Sequence, residues 1–136
     1  YTNPGFKFSV RYPNSWQIGP FGDNFSKKPL NNEDISGVSL QNTRADSVEK
    51  MQGFIDFSWK PYPYSFSCPA NFSRLIIPQD IASYLTKMNK IDDLNKFNVA
   101  YTKLAEQKVT IEGCYQRTEN KDNVLKILGT LQYQNN

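Results

Sequence analysis

The sequence predicts an α+β domain built on a central, mostly antiparallel sheet with helices packed against it. Three observations predict this class. Several short segments alternate apolar and polar residues, turns rich in Pro, Asn and Ser separate them, and two stretches repeat apolar residues every three or four positions. The 136 residues fit one domain spanning 1–136, large enough to bury a core without a structural metal.

Residues 6–12 alternate without a break, placing Phe6, Phe8, Val10 and Tyr12 on one face of a strand. Pro13-Asn14-Ser15 reads as a turn, and Trp16-Gln17-Ile18 resumes the alternation, so a β-hairpin is expected. Residues 19–32, rich in Gly, Pro, Asn and Lys, read as a long irregular loop. Residues 37–42 give another strand with Val38 and Leu40 inward, and 44–52 a short helix carrying Val48 and Met51. In 54–59, Ile55, Phe57 and Trp59 share one face and Phe54, Asp56 and Ser58 the other, until Pro61 and Pro63 end the ladder.

Leu75-Ile76-Ile77-Pro78 reads as a short strand or a lead-in to a helix over 79–90. That helix carries the stripe Ile81, Tyr84, Leu85, Met88 and Ile91, with Asp80 in its first turn, where a negative charge suits the helix dipole. Residues 98–104 and 107–117 are expected to form a second hairpin. In its second strand Val109, Ile111 and Tyr115 face one way and Thr110, Glu112, Cys114 and Gln116 the other, unless Gly113 marks a bulge. A closing helix is expected with Asn120 as N-cap, Val124, Ile127, Leu128 and Leu131 inward, and Gly129 as its stop.

Composition narrows the function classes. Aromatic residues are 14% of the chain and supply core volume, since each buries roughly 150–250 Å². The formal charge is +3, with basic residues scattered and only Lys27-Lys28 adjacent, so no stripe for nucleic acid is visible. No apolar run is long enough to span a bilayer. The chain opens at Tyr1 rather than at methionine and reads as a trimmed or mature piece, with any signal peptide or lipid anchor lying upstream.

Histidine is absent, which excludes Ser-His-Asp and Cys-His hydrolysis, HExxH zinc proteolysis and His-based acid–base chemistry, and leaves a Ser-Lys dyad or a carboxylate pair as the open catalytic options and an enzyme using them as a third reading. The adjacent acids Glu33-Asp34 and Asp92-Asp93 do not converge on one point and read as solvated surface. No phosphate-binding loop, metal-ligand spacing or cofactor motif is present, so no cofactor is expected.

Cys68 and Cys114 stand far apart with no CxxC, and admit two readings: a structural disulfide or two buried thiols. Cys114 falls on the polar face of its strand, an odd place for a lone thiol and a natural one for a cystine. The bridge is therefore the expectation, and with it an oxidising compartment. One further segment stands out. Trp59, Tyr62, Tyr64 and Phe66 lie among Pro61, Pro63 and Pro69, so either the rings cover the sheet or they form a stiff partner-binding loop.

Gly5-Phe6-Lys7-Phe8-Ser9-Val10-Arg11-Tyr12-Pro13-Asn14-Ser15-Trp16 resembles the first hairpin of the PsbP-like family. Its pattern runs roughly Gly-Phe-Ser-apolar-x-Tyr-Pro-x-x-Trp, and this chain has an extra residue pair after the Phe. Val124 to Tyr133 is similar to that family's closing helix and short apolar end. The resemblance covers these two end segments. It implies an α/β/α sandwich around a central antiparallel sheet, in a family that includes photosystem-associated luminal proteins, a Ran-binding import factor and bacterial secreted proteins or lipoproteins. The cofactor-site residues of the photosynthetic member have no match here, so no photosystem role is carried over, and fold analogy transfers no activity. The expectation is a non-enzymatic extracytoplasmic binding or assembly domain, bacterial in origin, with a protein partner. The alternative is a carrier holding a small apolar ligand between sheet and helix.

Overall fold

The computed structural model describes residues 1–20, 37–42, 52–59 and 68–134. The alternation in 37–42 and 54–59 produces the centre of the molecule: strands β4 (Gly37–Gln41) and β5 (Gly53–Ser58) pair antiparallel, with Val38 opposite Phe57 and Leu40 opposite Ile55. All four side chains are fully buried. Burial of such side chains contributes about 1.5–3 kcal/mol each, so this four-residue patch anchors the fold.

β3 (Gln17–Pro20) flanks β4, while β7 (Thr110–Tyr115) flanks β5 and carries the short β6 (Ser73–Arg74) on its far side. The five-stranded sheet therefore runs β3-β4-β5-β7-β6, every pair antiparallel. A second, three-stranded sheet joins the two ends of the chain, with β2 (Phe8–Ser9) between β1 (Thr2–Asn3) and β8 (Gln132–Tyr133).

This arrangement corrects the expected opening hairpin. The alternation in 6–12 gives the right burial, with Phe8 and Val10 buried and Phe6 and Tyr12 packed at the core margin. Yet only Phe8–Ser9 form a strand, and they pair with β1 and β8 rather than with 16–18, which belong to the other sheet. Period two reports which side faces the core and is silent about the partner. Phe8 still joins the two sheets, since its ring stacks on Phe57 with centroids 4.9 Å apart.

Helices α1 (Gln79–Lys87), α2 (Ile91–Glu106) and α3 (Arg117–Leu128) all contribute buried residues to the core that covers the Val38–Phe57 face. Asp80 lies in the first turn of α1 as expected. Its Oδ2 also accepts the Ile76 N–H at 2.8 Å, satisfying a donor outside the helix. The helix expected over 79–90 stops early. Asn89 adopts φ 57° and Lys90 N–H donates to Leu85 O at 2.9 Å, which is the Schellman closure. Met88 and Ile91 thus leave the stripe and are each about half exposed, at 49%.

The larger correction concerns 98–104, expected as a strand and found inside α2. Leu94, Phe97, Ala100, Tyr101 and Leu104 recur at helical spacing, and Phe97, Ala100 and Leu104 are fully buried. The β-forming Val99, Tyr101 and Thr102 inside that window mask the longer period. Asn120 is likewise not the N-cap. Gln116 holds that place, and Asn120 sits within α3, buried, with its Nδ2 donating to Gln116 O at 2.6 Å. Gly129 does end α3. The short helix expected over 44–52 and most of the loop expected over 19–32 lie outside the described residues.

Gly37 shows why one glycine is fixed. A Cβ there would overlap the Phe57 carbonyl oxygen and lie 2.8 Å from Ser58 Cα, both of them backbone. Gly37→Ala is expected to cost about 1–3 kcal/mol, the usual range for overpacking. A urea titration measures it, and a midpoint equal to wild type would show that the strand end yields freely.

Candidate functional site

β7 positions polar and apolar groups that line an open groove. Gln116 N–H donates to Gln52 O at 2.8 Å, which fixes the alternation along this strand. Even-numbered β7 residues exchange backbone bonds with β5, and odd-numbered ones face the opposite side. No bulge interrupts the register at Gly113, which lies opposite Ile55. On the outer side, Ser73 and Arg74 pair with Tyr115 and Cys114, and Leu75 N–H donates to Gly113 O at 2.9 Å. The chain then leaves β7 through Ile76 and the cis Ile77–Pro78 peptide to enter α1.

The divergence opens a groove of about 690 Å³. Leu75, Ile76 and Ile77 form one wall, Tyr101 and Ala105 of α2 the other, and Val109 and Ile111 lie between them. Ile76 is 64% exposed, the highest value among the large apolar side chains described. At the rim, Arg74 makes a bidentate pair with Glu112, with Nε donating to Oε2 at 2.7 Å and a second bond from its terminal nitrogen to Oε1. Lys108 completes the rim. It occupies the left-handed position after α2, at φ 66°, where Val109 N–H closes the helix on Leu104 O at 2.9 Å.

The sheet face turned away from the helices carries a different set. Cys114 is bonded to Cys68, with Cα atoms 5.8 Å apart, as its place on the polar side of β7 predicts. The bond holds the 68–72 segment over this face, where Phe72 packs on Phe54 at a centroid distance of 5.7 Å. One row along, Asp56 lies directly opposite Ser39 on β4 and Glu112 on β7. Only 5% of Asp56 is exposed, and its Oδ1 has no hydrogen-bond partner among the described residues. Burial pushes its carboxyl up to about 7; the Ser39 hydroxyl partly offsets this, and the nearby Glu112 charge adds to it.

Of the proposed partner-binding residues, Trp59 packs against the core margin with its ring 5.0 Å from Phe6. Tyr62, Tyr64 and Phe66 lie outside the described residues, as do Glu33 and Asp34. Asp92 and Asp93 sit in the first turn of α2, suited to its dipole. The Arg74–Glu112 pair and Asp56 were not legible as a group in the sequence. They meet only because β5, β7 and β6 are neighbours, and the sequence carries no signal for that order.

Compared with protein-family models, with curated proteins and with solved structures, the chain matches none. The resemblance to PsbP-like proteins therefore rests on the two end segments alone.

Proposed function

We propose that this chain is a non-enzymatic binding or assembly domain of the extracytoplasmic space, of bacterial origin and secreted, periplasmic or lipid-anchored. Its partner would bind in the groove beside β7. The open groove carries this reading, because it combines an apolar interior with exposed Ile76 and a charged rim. The carboxylate of Glu112 is already engaged by Arg74, and Asp56 is enclosed, an arrangement suited to holding a surface rather than to moving protons. The disulfide supports an oxidising compartment.

The groove volume falls within the roughly 300–1,000 Å³ typical of small-ligand pockets, and this favours the carrier reading as the second one. A displayed library of random dodecapeptides separates the two. Binders selected on the intact protein are expected to lose at least tenfold in affinity against Ile76→Glu, with an unchanged Tm because Ile76 is exposed. Binders indifferent to Ile76→Glu would remove the groove from the proposal. A rise in Tm with palmitate, and no peptide binders, would instead select the carrier.

A further inference from the structure

We infer that the groove takes an extended, carboxylate-rich peptide segment, which adds as a strand to the outer side of β7 at Ile111. This rests on the binding reading above and names its partner's chemistry. The first observation is a gap in the backbone pairing. Continuing the β6 register would place Ile77 opposite Ile111, but the chain has already turned away toward α1. Tyr115 and Gly113 find partners on that side, and the Val109 N–H is taken by Leu104. Among the described residues, none bonds to the Ile111 N–H or C=O, both of which face the groove by the alternation of the strand.

A strand edge left open beside an apolar wall is what an incoming extended segment completes. Its backbone would bond to Ile111, and alternate side chains would lie against Leu75, Ile76 and Tyr101. The second observation is charge. The rim carries two cations, Arg74 and Lys108, against one anion, Glu112, and that anion is neutralised by Arg74. Lys108 is exposed and, among the described residues, has no ion-pair partner. The surplus positive charge selects for carboxylates on the solvent-facing positions of the added strand.

The test uses acetylated six-residue peptides in which valine alternates with glutamate, lysine or serine, titrated against the whole chain. The glutamate peptide is expected to bind at least tenfold more tightly than the lysine peptide and to slow exchange of the Ile111 amide at least tenfold. Lys108→Glu is expected to reverse the preference, with Tm unchanged. Binding that leaves Ile111 exchange unaltered would overturn strand addition, and a preference unmoved by Lys108→Glu would overturn the charge selection. If none of these peptides binds while library binders still depend on Ile76, this inference fails and the groove survives. If Ile76 is irrelevant as well, both fail.

Discussion

As pH rises from 4 to 7 the protein is expected to lose stability, by on the order of 4 kcal/mol, and Asp56→Asn is expected to abolish the loss. In the unfolded chain Asp56 ionises near its ordinary value of 3.8, whereas in the folded chain burial holds the proton until about 7. Below the unfolded value both states are protonated and the group costs nothing. Between the two values the unfolded state releases its proton and the folded state keeps it, so rising pH favours unfolding. Above about 7 both are ionised and the cost is fully present. Asparagine keeps the shape and can still bond to Ser39, so Asp56→Asn should be the more stable protein at pH 8 and nearly equal at pH 4. Urea titrations of both proteins across this range measure the slope. Parallel slopes for wild type and variant would assign the pH dependence elsewhere.

Loss of the Cys68–Cys114 bond has an expected effect of similar size. The two residues are 46 positions apart, and closing a loop of that length restricts the unfolded chain by about 4 kcal/mol in the chain-entropy model. Reductant should therefore lower the urea midpoint strongly. The double variant Cys68→Ser, Cys114→Ala should match the reduced protein and stop responding to reductant. Cys114 is fully buried, so alanine leaves only a small void there. A stability change below about 1 kcal/mol would mean that the unfolded chain is already compact around this loop.

Where apolar and polar residues alternate along a strand, the sequence discloses which side meets the helices. Val38, Leu40, Ile55 and Phe57 are buried as their spacing requires, and Cys114 lies on the opposite side, bonded to Cys68 as its place there led us to expect. Pairing is less legible. Residues 6–12 and 16–18 read as one hairpin because they are near in sequence, but Phe8 is held by Asn3 and Tyr133 instead. The strand expected over 98–104 failed because Val99 and Tyr101 favour sheet locally, whereas the stripe from Leu94 to Leu104 favours helix over a longer window. Asp56 was legible as a residue of the polar face. Its enclosure was not, because burial there depends on what covers the sheet, and no pattern within β5 encodes the cover. The groove was equally hidden, since it exists only where residues 75–77 leave the β7 edge.

The three-stranded sheet also dictates an order of events during synthesis. Phe8 pairs with Tyr133, so the edge of β2 that receives β8 stays open until nearly the whole described chain has been made. Thr130, whose Oγ1 accepts the Arg11 N–H at 2.8 Å, arrives equally late. A nascent chain therefore carries an uncovered strand edge beside the apolar Phe8 and Val10 until Gln132 and Tyr133 have been made. Until β8 emerges to cover it, that edge is open to pairing with other chains.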